Sequence, residues 1–125
     1  MDLAKIYKVL TTDEWARART SGIIITDLDK KDGFIHLSSA AQLNATLSMY
    51  FSKEKSVVLL QIDYAQTFQK IKFETPSPPG IRNSSFPHYY GDLNTNFVLK
   101  IWHLNRGAFE IPIEVMLQAE QETNS

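Results

Sequence analysis

The sequence contains no cysteine among its 125 residues. This absence excludes a disulfide framework, a thiolate nucleophile and a cysteine-based zinc site. The longest apolar runs extend over only a few residues, whereas a membrane-spanning helix needs about 20. Acidic Asp2 and the lack of a long apolar stretch after it argue against a secretory signal. We therefore expect a cytoplasmic protein with no membrane association.

An excess of charge of one sign is also missing, because 13 Lys and Arg residues are balanced by 14 Asp and Glu residues. A general nucleic-acid-binding protein normally carries a basic face or tail, so we do not expect that class. Binding of one nucleotide or a small anion stays compatible with this balance. The length and the 43% hydrophobic content fit one globular domain over residues 1–125.

Several motifs of common enzymes do not occur. The sequence has no GxSxG, GxGxxG or GxxxxGK[ST], which argues against a serine hydrolase elbow, a Rossmann site and a P-loop. Its three histidines form no HxH, HxxxH or HExxH spacing, so we expect no metal site. Function therefore has to be sought in individual side chains and their neighbours.

The apolar pattern predicts a helix after the first strand and mostly strands in the second half. Strands are predicted at residues 5–10, 56–63, 71–74 and 96–104, with a last extended segment at 107–113. Helices are predicted between the Thr11–Glu14 capping box and Gly22, over residues 40–51, and briefly over 115–119. Residues 27–33, 75–85 and 86–91 are predicted to be irregular. This order is typical of an α+β fold with a mixed, mostly antiparallel sheet and two main helices.

Residues 32–39 combine a turn, a short apolar strand and a helix start. Gly33 marks the turn, and Ser39 and Gln42 have capping-box spacing. His36 would lie at the end of the strand beside a helix N-terminus, where backbone amides favour anionic groups. The alternative is a half-buried histidine bonded to a backbone carbonyl.

Residues 86–91 form a second stretch dense in chemistry, with one Phe, two Tyr and His88. Aromatic side chains in an irregular segment are costly to leave exposed, so such a segment usually packs on the core or lines a binding site. If His36 and His88 converge on one cleft, they could bind phosphate or transfer a proton near neutral pH. Glu74 is the best-placed carboxylate for that cleft, and its alternative is a solvated strand end. Tyr7 and Lys8 alternate on one strand, so only one of them can face a given site.

These stretches carry a family resemblance. Ile6-Tyr7-Lys8 with Trp15, Gly33-Phe34-Ile35-His36-x-Ser38 and Phe86-Pro87-His88-x-Tyr90-Gly91 resemble the DUF952 family of small, uncharacterised, mainly bacterial proteins. The resemblance covers about residues 5–104. It leaves residues 105–125 as a C-terminal extension, in which 120–125 are expected to be a flexible tail.

The DUF952 family is similar in fold to the ADP-ribosyltransferases, especially the compact RNA 2′-phosphotransferase branch that uses NAD. The resemblance implies a split β core and likens His36 to a histidine that helps to hold the NAD-like ligand. That branch has a further histidine on the first strand, where this chain has Tyr7-Lys8-Val9. The wider superfamily commonly has a catalytic glutamate, and Glu74 is the candidate for that residue in this chain.

We therefore expect a site that binds NAD or a related nucleotide or phosphorylated ligand, and that could transfer ADP-ribosyl or phosphate groups. The catalytic candidates are His36, His88 and Glu74, and the binding candidates are Tyr7, Lys8, Phe34, Ser38 and Tyr90. The alternative is a non-catalytic interaction or regulatory module of the same fold with a protein partner. A third hypothesis is a histidine-driven hydrolase of a small phosphoester.

Overall fold

The structure is a computed structural model that describes residues 5–75, 85–105 and 112–124. Its strands are β1 Ile6–Thr11, β2 Ile35–His36, β3 Ser38–Ser39, β4 Ser56–Ile62, β5 Ile71–Glu74, β6 Phe86–Tyr89 and β7 Val98–Asn105. Its α-helices are α1 Thr12–Ser21, α2 Asp27–Asp32, α3 Leu43–Tyr50, α4 Tyr64–Thr67 and α5 Ile113–Asn124. Short 3₁₀ turns cover Ala40–Gln42, Phe68–Lys70 and Thr95–Phe97.

The strands form two antiparallel sheets, so the expected α+β class is confirmed. The four-stranded sheet has the order β3-β1-β4-β7, and the three-stranded sheet has the order β2-β6-β5. Strand β4 lies inside the larger sheet because its apolar run from Val57 to Leu60 is completely buried. Of the two main helices expected, α1 and α3 are present, but α5 is longer than either.

The core lies on both faces of the four-stranded sheet, since alternate residues of β1 point to opposite sides. Ile6 and Leu10 join a cluster that also contains Trp15 of α1 and residues of the three-stranded sheet. Tyr7 and Val9 join a second cluster, which packs against α3 and α5. One side of the three-stranded sheet therefore packs in the first cluster, and its other side lies outside the core.

The ends of α1 follow the predicted chemistry. The Glu14 amide donates to Thr11 Oγ1 over 3.1 Å, and the Thr11 amide donates to Glu14 Oε1 over 2.8 Å. Gly22 ends the helix at φ 83°, where a side chain would be strained. The Ser39 amide likewise donates to Gln42 Oε1 over 3.0 Å, although this helix begins as a 3₁₀ turn before α3.

Three predictions of local structure are wrong. Residues 27–32 form helix α2 instead of a polar turn, with Gly33 as the C-cap, because Thr26 and Asp29 make a capping box. Residues 86–89 form strand β6, because β2 and β5 pair with it on both sides. The last helix runs from Ile113 to Asn124 and exceeds the predicted 115–119. Residues 76–84 of the loop predicted at 75–85, and residues 107–111 of the extended segment predicted at 107–113, lie outside the described residues.

Candidate functional site

The outer side of the three-stranded sheet carries most of the candidate residues. His36 of β2 is opposite His88 of β6, and His88 is opposite Lys72 of β5. Opposite residues point to the same side of a sheet, so these three form one row. The alternate residues Ile35 and Tyr89 are buried in the core. We call the outer side the polar face and define it by Phe34, His36, Lys72, Glu74, His88 and Tyr90.

The two histidines lie side by side although 52 positions separate them in the sequence. Their ring centroids are 5.6 Å apart, with the rings at 68° to each other. Phe34 stacks on His88 at a centroid distance of 4.0 Å and also contacts His36 at 4.6 Å. The two sequence stretches that carry the histidines therefore meet in one cluster.

His88 forms a hydrogen-bonded unit with Glu74 and Tyr90. Nδ1 of His88 lies 2.8 Å from Glu74 Oε1, and the Tyr90 hydroxyl donates to the same oxygen over 2.7 Å. The hydrogen bond from Tyr90, and then that from His88, holds the pKa of the Glu74 carboxyl below its usual value. The bond to Glu74 in turn raises the pKa of the Tyr90 hydroxyl. Glu74 is therefore an ionised acceptor that orients the imidazole ring.

The other ring nitrogen of His88 is available. Among the described residues nothing forms a hydrogen bond with Nε2, and no buried side-chain nitrogen or oxygen there lacks a partner. Nε2 must therefore reach solvent, although the side chain as a whole is only 11% exposed. With the proton on Nδ1, Nε2 carries the lone pair and can accept a hydrogen bond or a proton.

His36 differs because carboxylates occupy both of its ring nitrogens. Nδ1 lies 2.7 Å from Asp29 Oδ1, and Nε2 lies 2.9 Å from Asp32 Oδ2. The backbone amide of His36 also donates to Asp29 Oδ1 over 3.0 Å. The ring is thus held between two residues of α2, and neither nitrogen is left for another partner.

Asp29 also forms a buried ion pair with Lys8. The Lys8 ammonium lies 2.9 Å from Asp29 Oδ2, and it donates to Asp29 Oδ1 over 3.1 Å and to the His36 carbonyl over 2.8 Å. Burial opposes the charge on Asp29, but the bonds from His36, Lys8 and Thr26 outweigh it and lower the pKa of the carboxyl. Burial lowers the pKa of the Lys8 ammonium, and Asp29 offsets part of that shift. Lys8 therefore uses its three donors inside the protein.

Asp29 and Asp32 are site residues that the sequence analysis missed. Asp29 has a completely buried side chain and connects the start of α2, strand β1 and strand β2. The readable signal was Thr26-x-x-Asp29, a capping box in which Asp takes the place of Glu. Asp32 lies one turn further on, at the position that reaches the His36 ring.

Aromatic groups form the remaining part of the polar face. Phe34 lies 5.5 Å from Tyr90, and the Lys72 ammonium lies 5.0 Å above the Tyr90 ring. Gly91 allows the chain to turn closely behind this platform, because a Cβ there would approach Lys70 Cδ to 2.9 Å. Phe34 is half-buried and Tyr90 is exposed, so both present ring surface to a ligand.

Three predicted binding residues, Tyr7, Lys8 and Ser38, lie outside the polar face. Tyr7 is 2% exposed and packs near Trp102 on the opposite side of the four-stranded sheet from Lys8. Ser38 is opposite Tyr7 in that sheet, and its hydroxyl lies 2.9 Å from Thr46 Oγ1. As ligand contacts Tyr7, Lys8 and Ser38 stay predictions, and the polar face does not include them.

The part of the chain that the structure describes contains no cluster of metal-binding side chains and no membrane-spanning helix. Residues 5–75, 85–105 and 112–124 hold no group of three or more His, Cys, Asp or Glu side chains placed to bind a metal ion. Over the same ranges, no helix has the length and hydrophobicity to cross a bilayer. Phe34, Glu74, His88 and Tyr90 together present ring surface, a carboxylate and a ring nitrogen on the polar face.

Sequence and structure comparisons identify the family. The profile of DUF952, described as a protein family of unknown function, matches residues 9–101. The chain belongs to the DUF952 family. This confirms the resemblance read from the two histidine motifs, both of which fall inside the matched region. No curated protein is significantly similar to this DUF952 chain.

Solved structures of another protein have the same fold. The crystal structure of CC0527 from Caulobacter crescentus is 28% identical, covers 90% of this chain and 98% of its own, and gives a TM-score of 0.76. The solution NMR structure of CC0527 is 30% identical, covers 88% of this chain and 92% of its own, and gives a TM-score of 0.71. The shared fold thus extends over nearly the whole of both chains.

Proposed function

We propose that this DUF952 protein binds NAD or a related nucleotide on the polar face. The observation that carries the proposal is the unit of Glu74, His88 and Tyr90, which lies beside partly exposed aromatic rings. It combines a carboxylate, a basic ring nitrogen and a stacking surface within the reach of one small molecule. This combination suits a ligand that has a planar ring joined to a sugar.

The aromatic rings would hold the planar part of the ligand. Phe34 and Tyr90 lie 5.5 Å apart and are tilted by 41°, so they offer two ring surfaces at the edge of the sheet. Stacking of a base on an aromatic side chain contributes about 1–3 kcal/mol. Nicotinamide and adenine are both planar rings of suitable size. The aromatic contacts therefore favour a nucleotide over a bare phosphate.

Glu74 would bind the sugar. Its Oε1 already accepts two hydrogen bonds, whereas Oε2 accepts none from the described residues and the side chain is 39% exposed. Carboxylates in nucleotide sites commonly accept hydrogen bonds from ribose hydroxyls. An ionised carboxylate at this position would also stabilise a ribose that becomes cationic as nicotinamide leaves. The same group thus serves binding and, in a transferase, catalysis.

Lys72 would balance the charge of the ligand phosphates. It is exposed, lies in the same row as His88, and extends its ammonium over the Tyr90 ring. Unlike the Lys8 ammonium, the Lys72 ammonium forms no hydrogen bond with a protein group among the described residues. A diphosphate beside the aromatic platform would therefore have a cation within reach.

The resemblance to ADP-ribosyltransferases supports the same ligand. Two antiparallel sheets, with a helix after the first strand and another after the His36 segment, agree with the split β core that the resemblance implies. We propose an ADP-ribosyltransferase-like fold on this basis, with transfer of an ADP-ribosyl or phosphate group as the reaction. Fold analogy supplies a ligand class here and does not by itself supply the reaction.

The test is a thermal-shift and calorimetric titration with NAD, ADP-ribose, AMP and inorganic phosphate. One-site binding at a hundredfold excess over Kd adds about 2.7 kcal/mol of stability, which raises Tm by several degrees in a domain of this size. We expect NAD or ADP-ribose to give this shift and phosphate to give none. Absence of a shift with every ligand would overturn the proposal.

Two glutamate variants sharpen the test. Glu74→Gln should weaken binding of NAD or ADP-ribose at least tenfold, because the amide replaces a charged acceptor. Glu114→Gln is the matched control, since Glu114 is exposed on α5 and pairs with Lys100 outside the polar face. Equal affinities in the two variants would contradict the role of Glu74.

One observation favours a second candidate, an interaction module without catalysis. Lys8 and His36, two of the basic groups expected in the site, are fully occupied by Asp29, Asp32 and a backbone carbonyl. In that case the network would stabilise a surface for a protein partner. The titration separates the two, because the module requires no response to any of the four small molecules.

A further inference from the structure

The two histidines of the polar face have different hydrogen-bonding states. We infer that His88, and not His36, transfers protons at this site, and that its Nε2 takes a proton from a hydroxyl group that attacks the bound nucleotide. His36 is then a positioning residue. The inference rests on the proposed binding of NAD and adds the proton-transfer group and the class of acceptor.

His36 lacks the freedom that proton transfer requires. Both of its ring nitrogens lie within 2.9 Å of carboxylate oxygens, from Asp29 and Asp32. Because carboxylate oxygens occupy the positions in front of both nitrogens, neither nitrogen can approach a hydroxyl group of a ligand. Asp29 also accepts a hydrogen bond from the backbone amide of His36, which further fixes the position of the ring. His36 therefore supports the rings of Phe34 and His88 without exchanging protons with a ligand.

His88 has the complementary arrangement. Glu74 holds Nδ1, and Nε2 is open to solvent on the polar face. A carboxylate that accepts from one nitrogen of an imidazole fixes the tautomer and stabilises the imidazolium that forms at the other. Three titratable groups face the His88 ring from the neighbouring strands: Glu74 and Lys72 of β5, and His36 of β2. A fourth, Tyr90, comes directly after β6, the strand that carries His88, and bonds to Glu74.

The charges around His88 indicate the acceptor. Lys72 lies opposite His88 on β5, and the ionised Glu74 lies against Nδ1 of the same ring, so the ring has one charge of each sign beside it. A neutral hydroxyl, from water or from an alcohol, suits this balance and can give its proton to a neutral imidazole as its oxygen forms the new bond. The chemical class assigned is therefore an O–H acceptor.

The step balances without another reactant. The acceptor oxygen forms a bond to C1′ of the ribose, and the C1′–N bond to nicotinamide breaks. The electron pair of that bond leaves with nicotinamide, which becomes neutral, and the hydroxyl proton passes to His88 Nε2. The resulting imidazolium keeps its Nδ1–H bond to Glu74 and later returns the proton to solvent.

A chemical modification tests the assignment of the histidines without any ligand. Diethyl pyrocarbonate acylates unprotonated imidazole nitrogens, and mass spectrometry locates the product. His36 is the more exposed side chain, at 29% against 11% for His88, so exposure and hydrogen bonding give opposite orders. We expect His88 to react at least tenfold faster than His36, with exposed His103 as the internal reference. A faster reaction at His36 would overturn the inference.

The reaction itself is tested by release of nicotinamide from NAD in wild type, His88→Gln and His36→Gln. We expect His88→Gln to lower kcat about 100-fold or more with little change in KM, and to remove the acidic limb of the pH profile. His36→Gln should retain that limb. Release in water alone assigns a hydrolase, and faster release with added glycerol assigns an alcohol acceptor.

The failures are distinguishable. No thermal shift with NAD refutes the proposed function. A shift with NAD but no nicotinamide release in water or glycerol refutes this inference and the proposed ADP-ribosyl transfer, and it leaves the proposed binding of NAD intact. Equal losses of kcat in the two histidine variants, with both acidic limbs changed alike, would also refute it.

Discussion

Replacement of Asp29 by Asn tests the network behind the polar face. The change keeps the shape of the side chain but removes the charge that faces the Lys8 ammonium at 2.9 Å, in a pair with side chains 5% and 0% exposed. Breaking a buried ion pair from one side costs about 3–5 kcal/mol, because the other charge is left without compensation. Domains have a total stability of only about 5–15 kcal/mol. We expect Tm to fall by roughly 10–20 °C.

The pH dependence of this loss follows from the two pKa directions. The pKa of Asp29 is depressed on folding, so its stabilisation is present above its unfolded value and disappears as pH falls through the folded one. The difference between Asp29→Asn and wild type should therefore shrink below about pH 4. It should also shrink at alkaline pH, because burial already lowers the pKa of Lys8 and the variant can lose that proton.

Urea unfolding at pH 7 is the assay, with Asp27→Asn as the matched control. Asp27 lies on the same helix α2 but is exposed, so its charge is worth only about 0.3–1 kcal/mol. Lys8→Met added to Asp29→Asn should recover part of the loss, since it removes the unpaired cation. A loss for Asp29→Asn no larger than that for Asp27→Asn would refute the reasoning.

Three further predictions concern stability. Burial, and then two glutamates of α5, raise the pKa of Tyr7 to about 12. Its contribution is therefore full below about pH 10 and is lost as pH rises toward the folded value; pH-dependent urea unfolding should show a smaller alkaline loss in Tyr7→Phe. Thr26→Ala removes the cap of α2 and should cost about 1 kcal/mol in urea unfolding. Gly91→Ala would bring a Cβ within 2.9 Å of Lys70 and 3.2 Å of the Tyr89 ring. Because the exposed Lys70 side chain can move aside and the Tyr89 ring has to give by only a few tenths of an ångström, Tm should fall only slightly, and a fall as large as that for Asp29→Asn would show that neither side chain relaxes.

Local chemistry was predictable where neighbouring residues decide it. The Thr11–Glu14 capping box and Gly22 fix α1 through contacts within a few residues, so the sequence pattern is sufficient. The apolar run of β4 likewise predicts a strand inside a sheet. Helix α2 was missed because its residues are almost all polar, although Thr26 and Asp29 carried a readable cap.

The polar face depends on contacts that no local pattern reveals. Strand β6 contains Pro87 and looks irregular in sequence, and its strand geometry comes from pairing with β2 and β5. The same pairing puts His36 opposite His88. The sequence named both histidines and Glu74 as catalytic candidates and Lys8 as a binding candidate, but it did not show where the Lys8 side chain points. Lys8 turns inward because Asp29, 21 positions away, offers a buried partner.

The most direct test of the central claim is an NMR titration of the labelled protein with ADP-ribose. We expect the largest chemical-shift changes at Phe34, Glu74, His88 and Tyr90, with little change at Trp102 on the other side of the four-stranded sheet. We also expect these changes to be lost in Glu74→Gln and kept in Glu114→Gln. Saturable changes confined to another surface, or none at all, would contradict a nucleotide site on the polar face.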